Sequence, residues 1–477
     1  MTASTPRFKR RTLVLGAMSL GLIGRFASAA PERSIRLSAA PGMAPLVVPD
    51  GPPTQTWLFN GTAPGPVLRA KQGDTLVVDV ENRLPEPTTV HWHGLRVPVE
   101  QDGVPHFSQS PIKPGESFTY ELPLHDAGTF WYHPHINSSE QIGRGLHGFL
   151  IVDEPPEIAA RLAADREIIW ALDDWRLDQH AQIMPFKNRH SMSHGGRLGN
   201  VLTVNGSHVT RTEARSGERI RLRLCNMANA RSFRLLFAPL DPWVIALDGH
   251  PVPPRRLGES GLWLGSGQRA DLILDVDLSP GEQARGIDDA FGPDQAIEVM
   301  TWNVSGAAPL RETPLPPPEA LPSNPVVKPD LSNAMTHPIV FEGGAMDSMS
   351  GAMMNGQMLT MRQVAAAGKF WAINGEIPSG YQNMRPLLSL QRNRTHIIQL
   401  ENRTQWPHPI HLHGHSFEVN DPRYFSGETT VIRDTVLLAP DEQVEIAFVA
   451  DNPGTWMLHC HVLEHQASGM MGVVEVT

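Results

Sequence analysis

Cysteine is almost missing from this chain: its 477 residues contain two, Cys225 and Cys460. That excludes a small scaffold stapled by disulfides. At 40% hydrophobic residues the chain has the apolar surface for two to four domains with substantial cores. A basic stripe is missing as well. Charged residues make up 19% of the chain and the formal net charge is -10, so nucleic acid is not an expected partner. Beyond the N-terminus no apolar run approaches membrane-spanning length, which argues against stable membrane insertion. Long segments with a helical 3.6-residue period are scarce too.

The N-terminus reads as an address rather than as structure. Lys9-Arg10-Arg11 precedes an apolar stretch from Thr12 to Ile23 and then Ala27-Ser28-Ala29. Basic, apolar and small residues in that order make an export signal over residues 1–29. The Arg10-Arg11 pair before Thr-Leu-Val-Leu is of the twin-arginine type. The mature chain is therefore expected outside the cytoplasm, in the periplasm or otherwise exported.

The remainder is predicted to be all-β. Thr75-Leu-Val-Val-Asp-Val, Ile220-Arg-Leu-Arg-Leu and Val444-Glu-Ile-Ala-Phe-Val alternate, or nearly so, with period two. A loose repeat supports three duplicated β-sandwich domains. Asn60-Gly61, Asn205-Gly206 and Asn374-Gly375 are each followed by a strand, a second turn and another strand. We place the domains at 37–155, 165–305 and 335–477, with a proline-rich linker at 306–334.

Four short motifs carry the chemistry. They are His91-Trp-His93-Gly, His133-Pro-His135, His408-Pro-Ile-His411-Leu-His413, and His459-Cys460-His461 followed by His465 and Met470. A His-X-His pair in a strand puts both imidazoles on one sheet face. A single pair can be chance. Four pairs, two in each terminal domain, supply His91, His93, His133, His135, His411, His413, His459 and His461, enough for a cluster of three metal ions. The paired motifs leave domain two out, so its His180, His190, His194, His208 and His250 read as turn or surface residues. The two terminal domains must then touch, with domain two spacing or bridging them.

His408, Cys460, His465 and Met470 remain. Two imidazoles, a thiolate and a long axial thioether make a blue-copper site adapted to electron transfer, and they favour copper over zinc. Cys460 binds there while His459 and His461 face the histidine cluster, so a few covalent bonds join the two centres. Met471 is assigned to core packing. Cys225, in an alternating apolar run, is expected to be a buried thiol. A Cys225–Cys460 disulfide would remove the best soft ligand.

With these motifs the chain resembles a three-domain bacterial multicopper oxidase of the laccase and cuprous-oxidase group. The signatures are His91-Trp-His93-Gly, Trp131-Tyr-His133-Pro-His135, His408-Pro-Ile-His411-Leu-His413-Gly and His459-Cys-His461-Val-Leu-Glu-His465-Gln-Ala-Ser-Gly-Met470. The resemblance implies three cupredoxin-like Greek-key β-sandwich domains and four copper ions. It assigns the type 1 copper to His408, Cys460, His465 and Met470, and the type 2 copper to His91 and His411. It assigns one type 3 copper to His93, His133 and His461, and the other to His135, His413 and His459. It implies dioxygen reduction to water coupled to four one-electron substrate oxidations, with Cys460, His459 and His461 carrying the electrons.

Dioxygen reduction consumes protons. Asp102 matches the acidic residue that related enzymes place near the type 2 copper, and is expected to have a proton or hydrogen-bonding role. Related bacterial enzymes often carry a glutamate after the histidine matched by His465. Here that residue is Gln466, with Glu464 on the other side, which puts the proton route in question. Asp434 reads as structural or catalytic alike.

The electron donor is the open point. Met335, Met346, Met349, Met353, Met354, Met358 and Met361 crowd one segment, at spacings that could place several on one helix face, although the glycines among them argue for a flexible cover rather than a packed helix. Thioethers suit Cu(I), and cuprous oxidases carry a methionine-rich insertion in a similar place. Those enzymes also use Asp and Met just before the histidine matched by His408, whereas this chain reads Thr404-Gln-Trp-Pro-His408. A phenol or aromatic-amine donor approaching His408 or His465 is therefore the leading reading, in a monomeric enzyme. A periplasmic cuprous oxidase for copper tolerance is the alternative. A copper-binding or cell-division scaffold is more remote, because no ligand has been lost, and a copper nitrite reductase has no need of eight clustered histidines.

Overall fold

The computed structural model describes residues 34–47, 51–208, 210–346, 349–423 and 430–477. The expected export signal at 1–29 lies outside them. No described helix is long and apolar enough to cross a membrane.

Three two-sheet sandwiches follow one another along the chain. Ile35–Ala44 to Gly148–Asp153 supply two four-stranded sheets. Arg166–Trp175 to Ile297–Val304 supply a six- and a five-stranded sheet, and Met335–Gly343 to Met471–Val476 a second such pair. One device recurs in all three. Asn60-Gly61, Asn205-Gly206 and Asn374-Gly375 all have positive φ at both positions, which only Asn and Gly adopt cheaply in a two-residue turn. In each turn the Asn side chain is clamped to the first strand of its sandwich: Oδ1 accepts from Ser38, Ala171 or Val340 N–H at 2.7, 2.8 and 2.8 Å. That first strand then pairs in parallel with the strand after the second turn.

A second repeated asparagine was not singled out from the sequence. Asn82, Asn226 and Asn402 close the Thr75–Asn82, Arg219–Asn226 and Thr395–Asn402 strands and are buried. Each side chain accepts from the N–H two residues on and donates to two carbonyls across the adjoining loop. The loops leading toward the histidine motifs in sandwiches one and three are anchored this way.

The sandwiches are welded rather than strung. The second and third share one hydrophobic cluster. Trp131, Phe149 and Ile151 of the first pack on Ala171, Cys225 and Met227 of the second. Cys225 and Cys460 are both buried, free thiols. Met471 packs with Val104, Met457 and Val473 where the first and third meet. The proline-rich segment holds no strand or helix from 305 to 330, yet it is fastened down. The Asn324 amide accepts from Ala127 N–H and donates to its carbonyl, both at 2.9 Å, and Arg311 pairs with Asp165.

The methionine segment is neither one helix face nor an irregular cover throughout. Asn355-Gly356 forms another turn with positive φ and closes a hairpin, Gly351–Met354 on Gln357–Thr360, with Met353 opposite Met358. A helix starts only at Met361, behind a Thr360/Gln363 capping box. The Asn-Gly pair decides this locally, because it favours a tight hairpin over a helix. Nor are the methionines all without partners: Met349, Met354 and Met361 pack on Ala352, Val364, Ala372 and Ile377. Met346 and Met358 are exposed, at 72% and 69%.

Asn82→Ala removes three hydrogen bonds and leaves the buried Leu84 N–H and the half-buried Glu86 carbonyl without them, while the Ile112 carbonyl keeps the Thr88 N–H. It is expected to destabilise the first sandwich by about 3 kcal/mol, read as a lower urea midpoint of the copper-free protein.

Candidate metal centre

Strand pairing brings the four motifs together. His91–His93 runs antiparallel to Gly128–His133 with His91 opposite His133. His408–Leu412 runs antiparallel to Gly454–Cys460 with His411 opposite His459 and Ile410 opposite Cys460. Successive strand residues face opposite ways, so Cys460 points away from its neighbours His459 and His461. Across the seam between the first and third sandwiches, His93 stacks on His411 at 3.7 Å and His91 on His413 at 3.9 Å, between ring centroids. All eight imidazoles are buried.

Each ring has one nitrogen engaged by protein. Nδ1–H donates to a backbone carbonyl in His91 (Asp102, 2.8 Å), His133 (Pro134, 3.0 Å), His411 (Asp434, 2.9 Å) and His459 (Cys460, 2.9 Å). In His413 it donates to the Asp102 carboxylate at 2.9 Å, in His461 to the Ser266 hydroxyl at 3.0 Å, and in His135 to the Tyr381 hydroxyl at 3.3 Å. His93 is reversed, with Nε2 on Asp434 at 3.1 Å. These bonds fix the tautomers.

The other nitrogens are bare. Nε2 of His91, His133, His135, His411 and His461, and Nδ1 of His93, have no hydrogen-bond partner, and Nε2 of His413 and His459 face each other at 3.1 Å. Buried lone pairs pointed at one another are costly unless a cation lies between them. The rings fall into three sets, each with one nitrogen per ring within 4.8 Å of the others: His91, His93 and His411; His93, His133 and His461; His135, His413 and His459. Burial, reinforced by the neighbouring rings, lowers His93, His133, His135, His413 and His461 well below 6.5, and His459 to about 3. They are neutral, as ligands must be. The donor set therefore fits the metal cluster that the motifs imply.

A fourth set lies on the far side of Cys460. His408 Nδ1 and His465 Nδ1 are 3.1 Å apart, and Cys460 Sγ is 3.4 and 3.7 Å from them. The His408 Nε2–H donates to Thr404 Oγ1 at 2.8 Å and the His465 Nε2–H to the His194 carbonyl at 2.5 Å. Burial lowers His465 to about 3 and pushes the Cys460 thiol up. Met470 is fully buried, its carbonyl accepting the Cys460 N–H at 3.1 Å.

Both imidazoles of this set are sealed: His408 and His465 are 0% exposed. The expected approach of a donor to either ring edge is closed, because the segment after the Arg189–Ser193 helix lies on His465.

Acidic residues occupy distinct places. Asp102 spans two sets, with Oδ2 on His413 and Oδ1 3.2 Å from His91 Nδ1. Asp434 holds His93 and is itself gripped by Arg269 of the second sandwich at 2.8 and 2.6 Å. Burial alone would raise its carboxyl, but Arg269, His411 and His93 outweigh burial and hold it well below the usual range. Gln466 is buried. The Glu464 carboxylate accepts from Arg197 N–H at 3.0 Å and Asn229 at 3.4 Å, and burial pushes it up to about 7.

The second sandwich does more than bridge. Gly267, at φ +87, lies so close that a Cβ would sit 2.9 Å from His461 and 3.0 Å from His93. Ser266 and Arg269, beside it, were not singled out from the sequence; they stand far from any motif, and only the tertiary contact reveals them. Nor is His250 a surface residue: it is buried, with Nε2 on Ser416 at 3.0 Å.

Family models described as multicopper oxidase match residues 43–157 and 353–477. The chain is 30% identical over 451 residues to the multicopper oxidase MmcO of Mycobacterium tuberculosis, covering 88% of this chain and 83% of that protein. It is 28% identical over 513 residues to Laccase-1 of Thanatephorus cucumeris, covering 89% and 87%. The crystal structure of a multi-copper oxidase from Pseudomonas thermotolerans superposes with a TM-score of 0.80 at 36% identity, over 93% of this chain and 99% of that one. On its sandwiches, its clustered imidazoles and these likenesses, the chain belongs to the multicopper oxidase family and is a laccase-like, copper-dependent oxidoreductase.

Proposed function

We propose that the enzyme couples one-electron oxidation of phenols or aromatic amines to reduction of dioxygen to water, using four coppers. The type 1 ion is assigned to His408, Cys460, His465 and Met470, and the type 2 ion to His91 and His411. One type 3 ion is assigned to His93, His133 and His461, and the other to His135, His413 and His459. The observation that carries this is the position of Cys460. Its Sγ belongs to one set while His459 and His461, its chain neighbours, belong to two others, so covalent bonds alone join them. Bound copper supplies one-electron transfer on the thiolate side and dioxygen reduction on the imidazole side.

The protein's part is positional. Carbonyls, Asp102, Asp434, Ser266, Tyr381 and Thr404 hold the rings in one tautomer. Asp102 is the carboxylate that spans two sets, which supports it as the store for protons consumed by the reaction. Gln466 cannot take that role, and the contacts of Glu464 run to Arg197 and Asn229.

Two features favour an aromatic donor over Cu(I). The approach at Thr404–His408 carries neither Asp nor Met, and three methionines of the hairpin region are engaged in packing. A cuprous oxidase remains the second reading, through exposed Met346 and Met358. Arg10-Arg11 and the apolar run behind them support twin-arginine export to the periplasm. The welded sandwiches support a monomer with domains at 37–155, 165–305 and 335–477 and a connecting segment at 306–334.

Oxygen uptake by the copper-loaded protein is expected to be strong with a dimethoxyphenol, weak with Cu(I), and for the phenol insensitive to removal of residues 344–361. Strong Cu(I) turnover that depends on that segment would reverse the ranking. Metal analysis is expected to give four coppers per chain. Cys460→Ser is expected to lose the blue absorption and cut turnover by about a thousandfold or more, while the histidine sets still bind copper.

The lowered imidazoles also set the pH response of the copper-free protein. Below about 6.5 the unfolded chain takes up protons that the buried rings refuse, His459 and His465 until about pH 3. Stability present above that window is lost as pH falls through it. The unfolding temperature is expected to drop steadily from about pH 7 to about pH 4; a flat profile would contradict dry, neutral imidazoles.

A further inference from the structure

His190 and His194 belong to none of the ligand sets. They stand four residues apart across the short Arg189–Ser193 helix, so their side chains share one face. The two rings are in contact, with centroids 3.8 Å apart and planes tilted by 43°. His190 is exposed and His194 half-buried, so the pair opens to water. Hydrogen bonding decides which nitrogens are free. His194 Nδ1 lies 3.0 Å from the His190 carbonyl, which can only accept, so in the neutral ring Nδ1 carries the proton and Nε2 keeps its lone pair. Among the described residues the His190 ring bonds no protein group. Only its backbone is engaged, the N–H by the Asn188 side chain at 2.9 Å and the carbonyl by His194.

The pair rests on a rigid ledge. Ser191 Oγ accepts from Arg176 at 2.9 Å, and the Met192 carbonyl from the Trp371 indole N–H at 2.6 Å. The Ser193 carbonyl accepts from Ala345 N–H at 2.6 Å, and the Ala345 carbonyl in turn from the Trp406 indole N–H at 3.2 Å. The Trp406 ring backs His194 edge-on, with centroids 5.4 Å apart. Donors held in place this way lose little freedom on taking an ion. Two neutral imidazoles suit Zn(II), Cu(II) or Ni(II), whereas Mg(II) and Ca(II) take oxygen ligands. The same ledge touches the Cys460 set twice. The His194 carbonyl accepts the His465 Nε2–H at 2.5 Å, and Trp371, bonded to Met192, lies against His465 with ring centroids 4.1 Å apart.

We propose that His190 and His194 form a clip for one divalent transition-metal ion, separate from the four sets, and that its occupant favours the reduced form of the centre at Cys460. The ion takes one lone pair from each ring in place of water, and the proton on His194 Nδ1 stays. Its charge then sits on the residue whose carbonyl holds His465. A positive charge there is repelled more by an oxidised ion in the Cys460 set than by a reduced one. The second part rests on the type 1 assignment above; the first does not.

Zinc tests both parts, because it is redox-inert and colourless. Calorimetric titration of the copper-loaded enzyme with zinc chloride is expected to find a saturable site in wild type that is weakened at least about tenfold in His190→Ala and in His190→Gln. His190 is exposed and bonds no assigned ligand, so both variants are expected to keep the copper content, blue absorption and zinc-free turnover of wild type. Under argon, in an inert osmium–bipyridyl redox buffer, zinc is expected to raise the ratio of reduced to oxidised blue centre about threefold in wild type and to leave it unchanged in His190→Ala. Zinc binding that is equal in wild type and both variants would overturn the clip. Zinc binding lost in the variants, with no zinc effect on the wild-type ratio, would overturn its hold on the centre. A copper-loaded protein without blue absorption would defeat the type 1 assignment and that hold with it, while the titration would still decide the clip.

Discussion

Bare nitrogens kept dry are the constraint on which the structure depends. Eight imidazoles meet at the seam of two sandwiches, each with one nitrogen engaged by protein and the other aimed at its neighbours. In water those lone pairs would be solvated and the rings would protonate as pH falls. In the seam they cannot, because burial makes the imidazolium form expensive. The chain thus holds a site that is incomplete by electrostatics and complete with cations. Metal binding and folding are linked through the same atoms.

Such a site needs rigid walls, and the second sandwich provides many of them although it contributes none of the assigned ligands. Arg269 holds Asp434, which holds His93. Ser266 fixes the tautomer of His461. Gly267 is small enough to let backbone approach two rings where a Cβ would collide. On the far side, the carbonyl of His194 pins His465, and Glu464 ties the helix that carries His465 to Arg197 and Asn229. A buried pair such as Arg269–Asp434 is weak evidence for stability by itself, since desolvation offsets much of the attraction. Its value here is orientation: it holds a carboxylate in one place against a metal ligand.

Much of this could be read along the chain. The histidine pairs, Cys460 and the three Asn-Gly turns are local patterns whose physics is local: strand alternation, tight-turn geometry and ligand softness. The methionine segment shows the limit. Spacings of three to four residues could share one helix face and the glycines among them argue for a flexible cover, whereas Asn355-Gly356 makes a hairpin and a capping box delays the helix to Met361.

By itself the sequence determined which groups are available: the ligand types, their order, their alternation about Cys460, and the all-β repeat that carries them. Only the tertiary structure decided which groups meet and which are sealed. Asp102, Asp434 and Arg269 reach the rings from distant segments, and a loop of the second sandwich closes over His465. The reason is physical. Ligand identity and strand alternation are properties of neighbours in the chain, whereas burial, desolvation and access depend on what packs against a residue from elsewhere.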